Sequence, residues 1–255
     1  MIASLWSYTV YYDFYYIRTM GPGKYSWFRK LRFMTFLNML VQTVYFILCS
    51  VRAVVDQLAE WREEAEESAR FAAASPPGLS ATAGGRRPPR IRRSSSHRSG
   101  TPTYFRYSRL HSICDHIYSV VAFPLGIAVF LLFWALYAID RDLIFPKHLD
   151  KIIPNWTNHV WHTAPLPFLL VDTLLVCHKY PTKRTGISVV ILLCLGYIAN
   201  LVIIHNVEGS GVYPILDVLS ESQRILFYVI GTGLIVLLYL AGDGLNNLLW
   251  ALTCT

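Results

Sequence analysis

Long uncharged apolar runs alternate along this chain with short polar breaks, and the length of the runs decides what they form. Six candidate spans stand out. A short aromatic one lies near Ile2 to Ile17, followed by spans at roughly Leu31 to Val55, Ile113 to Ile139, Thr157 to Cys177, Gly186 to His205 and Ile225 to Trp250. Most of them approach the ~20 residues with which a helix crosses a bilayer, and none shows the ten-residue alternation of a barrel strand. The first is the weakest: it is short, rich in tyrosine and interrupted by Asp13, and it lacks the basic start and small-residue cleavage site of a secretory signal. Only helices and closed barrels satisfy their own backbone in lipid, so the pattern predicts an all-α polytopic membrane bundle of about six transmembrane helices.

The break between the second and third spans differs from the others. It opens acidic at Glu63-Glu64-Ala65-Glu66-Glu67, passes through Ala, Ser, Pro and Gly, and turns basic between Arg86 and Arg109. With so few apolar residues it is expected to be disordered. Three regions follow: 1–55 with two helices, 56–111 as a basic Ser/Pro/Arg-rich cytosolic loop, and 112–255 with four helices. The plain reading of the loop is a tolerated insertion. A sharper one is a tether to anionic lipid that phosphorylation at Ser94 to Ser96 would release.

Composition supports the membrane reading, since 15% of residues are charged and 54% hydrophobic, where a soluble domain carries about a quarter charged residues. The net charge of +7 comes from the segment between helices, so no nucleic-acid partner is expected. Cys49, Cys114, Cys177, Cys194 and Cys254 are scattered without ligand or framework spacing, which predicts no disulfide, no metal and no cofactor. If the spans alternate, one side receives Arg18, Lys24, Arg29, Lys30, Arg32, Arg141, Lys147, Lys151 and Arg224. The other receives the arginine-rich loop with Lys179, Lys183 and Arg184. That larger share turns its side, and both termini, toward the cytosol. The plasma membrane and the endoplasmic reticulum both fit; lipids are the expected surroundings and protein partners are unknown.

Two residues far apart in sequence carry the candidate chemistry. Thr35 sits about one turn inside the second span and His162 about one turn inside the fourth, and both spans start at the same face. A hydroxyl and an imidazole held together in a poorly hydrated site are the minimum parts of a nucleophilic hydrolase. Asn38 and Gln42 share the stripe of Thr35, and His159 is a turn from His162. The stretch from Arg141 to Asn158 is placed to close over the site. Each feature has a plainer reading. A membrane Thr ordinarily bonds its own i−4 carbonyl, and polar residues in such helices serve as packing glue. As orienter of His162, the residues His159, Asp140, Asp142 and Asp150 stay open, as does none. Asn38 is the preferred oxyanion donor. Asp172 and Asp243 fall toward the opposite face and are not recruited.

Several blocks resemble the androgen-induced membrane protein family, which includes the androgen-dependent regulator of tissue-factor-pathway inhibitor. They are Phe33-Met34-Thr35-Phe36, Ala122-Phe123-Pro124-Leu125-Gly126, Phe133-Trp134-Ala135-Leu136-Tyr137-Ala138-Ile139-Asp140-Arg141 and Asn158-His159-Val160-Trp161-His162-Thr163. His178-Lys179-Tyr180-Pro181, Val212-Tyr213-Pro214 and Leu245-Asn246-Asn247-Leu248-Leu249-Trp250 continue the likeness. The resemblance implies a six-span threonine hydrolase of fatty acid esters of hydroxy fatty acids. Thr35 matches the family's nucleophile and His162 its base, with a lipid ester as substrate. The chain departs from the pattern in a shortened first span and a longer loop after the second. The rival expectation is a non-enzymatic regulator or lipid-binding adaptor in which Thr35 and His162 merely pack. A transporter is disfavoured, because no repeated half and no paired broken helices are visible.

Overall fold

The computed structural model of the chain describes residues 1–17, 27–74 and 108–251, and these form an α-helical bundle without a strand among them. Helix α1 covers Ile2–Tyr12 and runs on through a π turn at Asp13–Ile17. After a 3₁₀ turn at Trp27–Arg32, α2 extends over Met34–Ala74. Helix α3 is Arg109–Ile139, with one π turn at Tyr118–Ala122. Two short 3₁₀ turns lead into α4, Asn155–His162, and α5, Pro165–Leu175. Helix α6 covers Lys183–Glu208, α7 Pro214–Val218 and α8 Glu221–Trp250. Among the described residues four helices, α2, α3, α6 and α8, are long and apolar enough to cross a membrane.

Local chemistry explains the boundaries. Ser220 and Gln223 form a reciprocal capping box at the start of α8, and the Thr182 hydroxyl caps α6. Gly209, at φ +71°, ends α6 in the left-handed region that glycine adopts without strain. The expected fourth span is broken in two. Pro165 has no N–H to continue the ladder, and the amides of Thr163 and Ala164 both turn back to the His159 carbonyl.

A second correction concerns the region expected to be disordered from residue 56. Helix α2 continues to Ala74. Its extension is built from Ala, Glu, Arg and Gln, with no Pro or Gly before Pro76, and Glu66 pairs one turn away with both Arg62 and Arg70. Composition that is too polar to bury a core can still be good helix composition. The rest of that expectation, 75–107, lies outside the described residues.

The main core joins α1, α2, α3 and α5 through Trp6, Phe36, Met39, Tyr45, Tyr118, Phe123 and Leu169. A second cluster, Val120, Val190, Cys194 and Tyr239, holds α3, α6 and α8 together. The outer faces of α6 and α8 are apolar and open, with Leu192, Ile203, Val229 and Leu237 exposed, as befits helices bathed in lipid.

At the end of the bundle remote from the N-terminus of α2, polar groups are buried together. His178, fully buried in the connection between α5 and α6, places Nδ1 3.1 Å from Asp115 Oδ1 and Nε2 3.3 Å from Asp172 Oδ2. The Tyr118 ring stacks on the imidazole at 3.6 Å between centroids, and the Tyr45 hydroxyl donates to Asp172. Asn246 of α8 clasps the same connection, accepting from the His178 amide at 3.0 Å and donating to its carbonyl at 2.9 Å. Nearby, Cys177 is disulfide-bonded, which corrects the expectation of no disulfide. Cys49, Cys114 and Cys194 keep free thiols, and Cys254 lies outside the described residues.

Candidate active site

The first turn of α2 and the last turn of α4 meet at the face opposite that cluster. Thr35 Oγ1 lies 3.2 Å from His162 Nε2. Other hydroxyls in α1 and α2 take the plain course and donate to the i−4 carbonyl: Thr9 to Leu5, Thr43 to Met39 and Ser50 to Phe46, each at 2.8 Å. Thr35, one residue into its helix, faces the imidazole instead.

The other ring nitrogen fixes the tautomer. His162 Nδ1 lies 3.0 Å from the Asn158 carbonyl oxygen and 2.9 Å from its Oδ1. A carbonyl only accepts, so in the neutral ring Nδ1 carries the hydrogen and Nε2 offers its lone pair to the Thr35 hydroxyl. The ring is buried and stacks on Phe133 at 3.5 Å between centroids and 10° between planes, which removes its freedom to rotate. Thr35, His162 and Asn158 therefore form one hydrogen-bonded line of hydroxyl, imidazole and amide, the arrangement used by Cys-His-Asn hydrolases.

None of the acids or the histidine considered from sequence reaches His162. Exposed His159 bonds the Thr163 hydroxyl at 3.1 Å and stacks on Trp134. Asp140 accepts from the Asp142 amide, and Asp150 pairs with Arg141 at 2.8 Å. Asn158 is neutral, so a sequence reading that looks to charged or imidazole orienters does not single it out. The signal was present, since residues four apart on a helix share a face.

Gln42 turns out to be glue, donating to Asn38 Oδ1 at 3.1 Å and to the Ala122 carbonyl at 2.9 Å. Asn38 Nδ2 has no acceptor, but the side chain is fully buried and borders neither of the two cavities at the site. Trp161 offers a second orphaned donor. Its buried Nε1 has no partner, and the residue lines the same cavity as Thr35 and His162.

Two cavities open on Thr35. One of about 350 Å³ lies between α2, α3, α6 and α8 and is walled by Val41, Val120, Leu132, Cys194, Leu201 and Ile235 among others. The other, about 370 Å³, lies on the His162 side beneath the stretch between α3 and α4, which contributes Phe145, Leu149, Ile152 and Ile153. Arg141 staples that stretch down, bonding the Phe145 carbonyl at 3.2 Å as well as Asp150. Thr35, Phe133, Ile144 and Tyr213 line both cavities. The Tyr213 hydroxyl holds the start of α2 in place by accepting from the Met34 amide at 2.8 Å. Volumes of this size and such apolar walls suit an acyl chain. No group of three or more metal-ligating side chains occurs among the described residues.

Comparison with known proteins gives this geometry a setting. A family model described as FAR-17a/AIG1-like protein matches residues 101–247. The chain is similar to the human androgen-induced gene 1 protein, with 30% identity over 229 residues that cover 90% of this chain and 81% of that one. It is also similar to the rat androgen-dependent TFPI-regulating protein, 38% identical over 151 residues, or 59% of this chain and 62% of the relative. No solved structure matches.

Proposed function

This chain belongs to the FAR-17a/AIG1-like protein family, and on that premise we propose that it is a membrane-embedded threonine hydrolase of fatty acid esters of hydroxy fatty acids. The observation that carries the reading is the 3.2 Å approach of the Thr35 hydroxyl to a His162 nitrogen whose lone pair is aimed at it. The resemblance in sequence supplies the substrate class.

The chemistry follows from the line of groups. His162 Nε2 takes the proton from Thr35 as its oxygen attacks the ester carbonyl. The tetrahedral intermediate collapses, the hydroxy fatty acid leaves with the proton from His162, and an acyl-threonine remains. Water then gives a proton to the same nitrogen and attacks the acyl carbonyl. The fatty acid departs, and the proton returns to the Thr35 oxygen. Asn158 holds the ring through Nδ1. The Trp161 indole N–H, orphaned in the wall of the cavity that Thr35 and His162 share, is the donor assigned to the developing oxyanion.

An active-site-directed fluorophosphonate tests the assignment. The full-length protein in its membrane is expected to be labelled, and Thr35→Ala to lose the label at equal expression. Labelling that persists in Thr35→Ala removes the nucleophile from the scheme.

Two further outcomes separate the supporting groups. Trp161→Phe keeps the ring and deletes the donor, so kcat is expected to fall about 10²-fold with little change in KM, the usual size for one oxyanion donor. Asn158→Ala leaves the backbone carbonyl of residue 158 as a partner for Nδ1. The expected loss is therefore smaller, about tenfold in kcat, with Asn158→Asp close to wild type. Steady-state kinetics on the three purified variants distinguishes these patterns.

The proposed topology, with both termini on the cytosolic side, places Thr35 near the opposite membrane face. The loop charges support it.

A further inference from the structure

The two cavities that meet at Thr35 end differently. The larger part of the first is hydrocarbon, and among the described residues no Asp, Glu, Lys, Arg or His borders it. The second has Lys30, Asp13 and His148 in its wall. Lys30 Nζ donates to Asp13 Oδ2 at 2.6 Å and to the Asp13 carbonyl at 3.0 Å. An ammonium carries three hydrogens, so one is left without an acceptor among the described residues. The side chain is only 14% exposed, so little water is available to take that hydrogen.

A branched ester of the proposed class has two unlike halves. The acyl half ends in a methyl group, whereas the hydroxy acid half ends in a free carboxylate. An unpaired carboxylate in an apolar wall is strongly disfavoured, and one bonded to an ammonium is not. We propose that Lys30 is the docking site for the free carboxylate of the hydroxy acid half, and that the acyl half lies in the uncharged cavity. The proposal rests on the hydrolase reading and adds to it a requirement for an anionic end on the alcohol side.

The surroundings suit that task. Asp13 keeps the ammonium in position when no substrate is bound, so the wall never holds a bare buried charge. Lys30 lies in the 3₁₀ turn just before α2, five residues ahead of Thr35, and both line the second cavity, so a chain joining a terminal carboxylate to a mid-chain ester has one continuous path between them. The ammonium also sits toward the membrane face, where a carboxylate is least dehydrated.

The test uses the full chain in vesicles with two substrates, a fatty acid ester of a hydroxy fatty acid and the same molecule with its carboxylate capped as a methyl ester. Wild type is expected to favour the free acid by about tenfold or more in kcat/KM, chiefly through KM, the size of one hydrogen bond to a charged group. Lys30→Met is expected to bring the ratio close to one, and Lys30→Arg to restore most of it. Asp13→Asn removes the competing carboxylate and is expected to raise the preference further, whereas loss of a merely structural ion pair would move both substrates alike. Equal use of the two substrates by wild type, or a ratio unmoved by Lys30→Met, overturns the docking and leaves the hydrolase standing. Hydrolysis of neither substrate by wild type overturns the hydrolase and the docking together.

Discussion

Thr35→Ala is expected to lower kcat/KM for a fatty acid ester of a hydroxy fatty acid by about 10³-fold or more, and His162→Ala to do the same. The reason lies in the geometry. A threonine hydroxyl is a poor nucleophile until its proton has a destination, and Nε2 at 3.2 Å is the base within reach. Neither group works without the other, so Thr35→Ala/His162→Ala is expected to be no slower than either single variant. Thr35→Ser retains the hydroxyl and is expected to keep measurable turnover. Kinetics at matched expression check the set. Losses that multiply in the double variant would show two independent contributions rather than one catalytic unit.

The largest effect on stability is expected at the other end of the bundle. His178→Ala leaves Asp115 and Asp172 buried and without their shared partner, a change that destabilises by about 3–5 kcal/mol in comparable cases. Thermal unfolding in detergent should reveal it. Burial works against charge on His178, but hydrogen bonding to Asp115 and the attraction of Asp172 outweigh it and raise its pKa above the ordinary 6.5. The stabilisation is therefore complete below the unfolded-state value and is lost as pH rises through the higher folded-state value. Wild-type melting temperature should fall over that interval, and His178→Gln should flatten this part of the profile. A wild-type profile that rises there would contradict a charged imidazole.

Apolar runs revealed most of the fold because lipid enforces backbone satisfaction within each segment, and a helix is the local answer. The approach of Thr35 to His162 was legible in outline, because each lies near the start of an apolar run in the sequence and the two meet at 3.2 Å. Other features depended on longer-range facts. The acidic start of the supposed loop was read by what it cannot bury, although the same Glu, Ala and Arg residues favour helix over 56–74. The break before Pro165 was visible as a proline in the sequence, but its consequence, two amides sharing the His159 carbonyl, was not. Asn158 carries no charge to mark it as an orienter, and the orphaned N–H of Trp161 beside the site is a fact of packing that no sequence pattern shows.

Helix α2 has 41 residues, so it measures about 60 Å, roughly twice the hydrocarbon thickness of a bilayer. Starting near one face, it emerges from the other as a rod of some 30 Å whose charges are mostly acidic, Glu60, Glu63, Glu64, Glu66 and Glu67 against Arg62 and Arg70. Its end at Ala74 then stands several Debye lengths beyond the headgroups, where a membrane's surface potential has decayed. A charge carried at that tip feels the bulk electrolyte and not the bilayer.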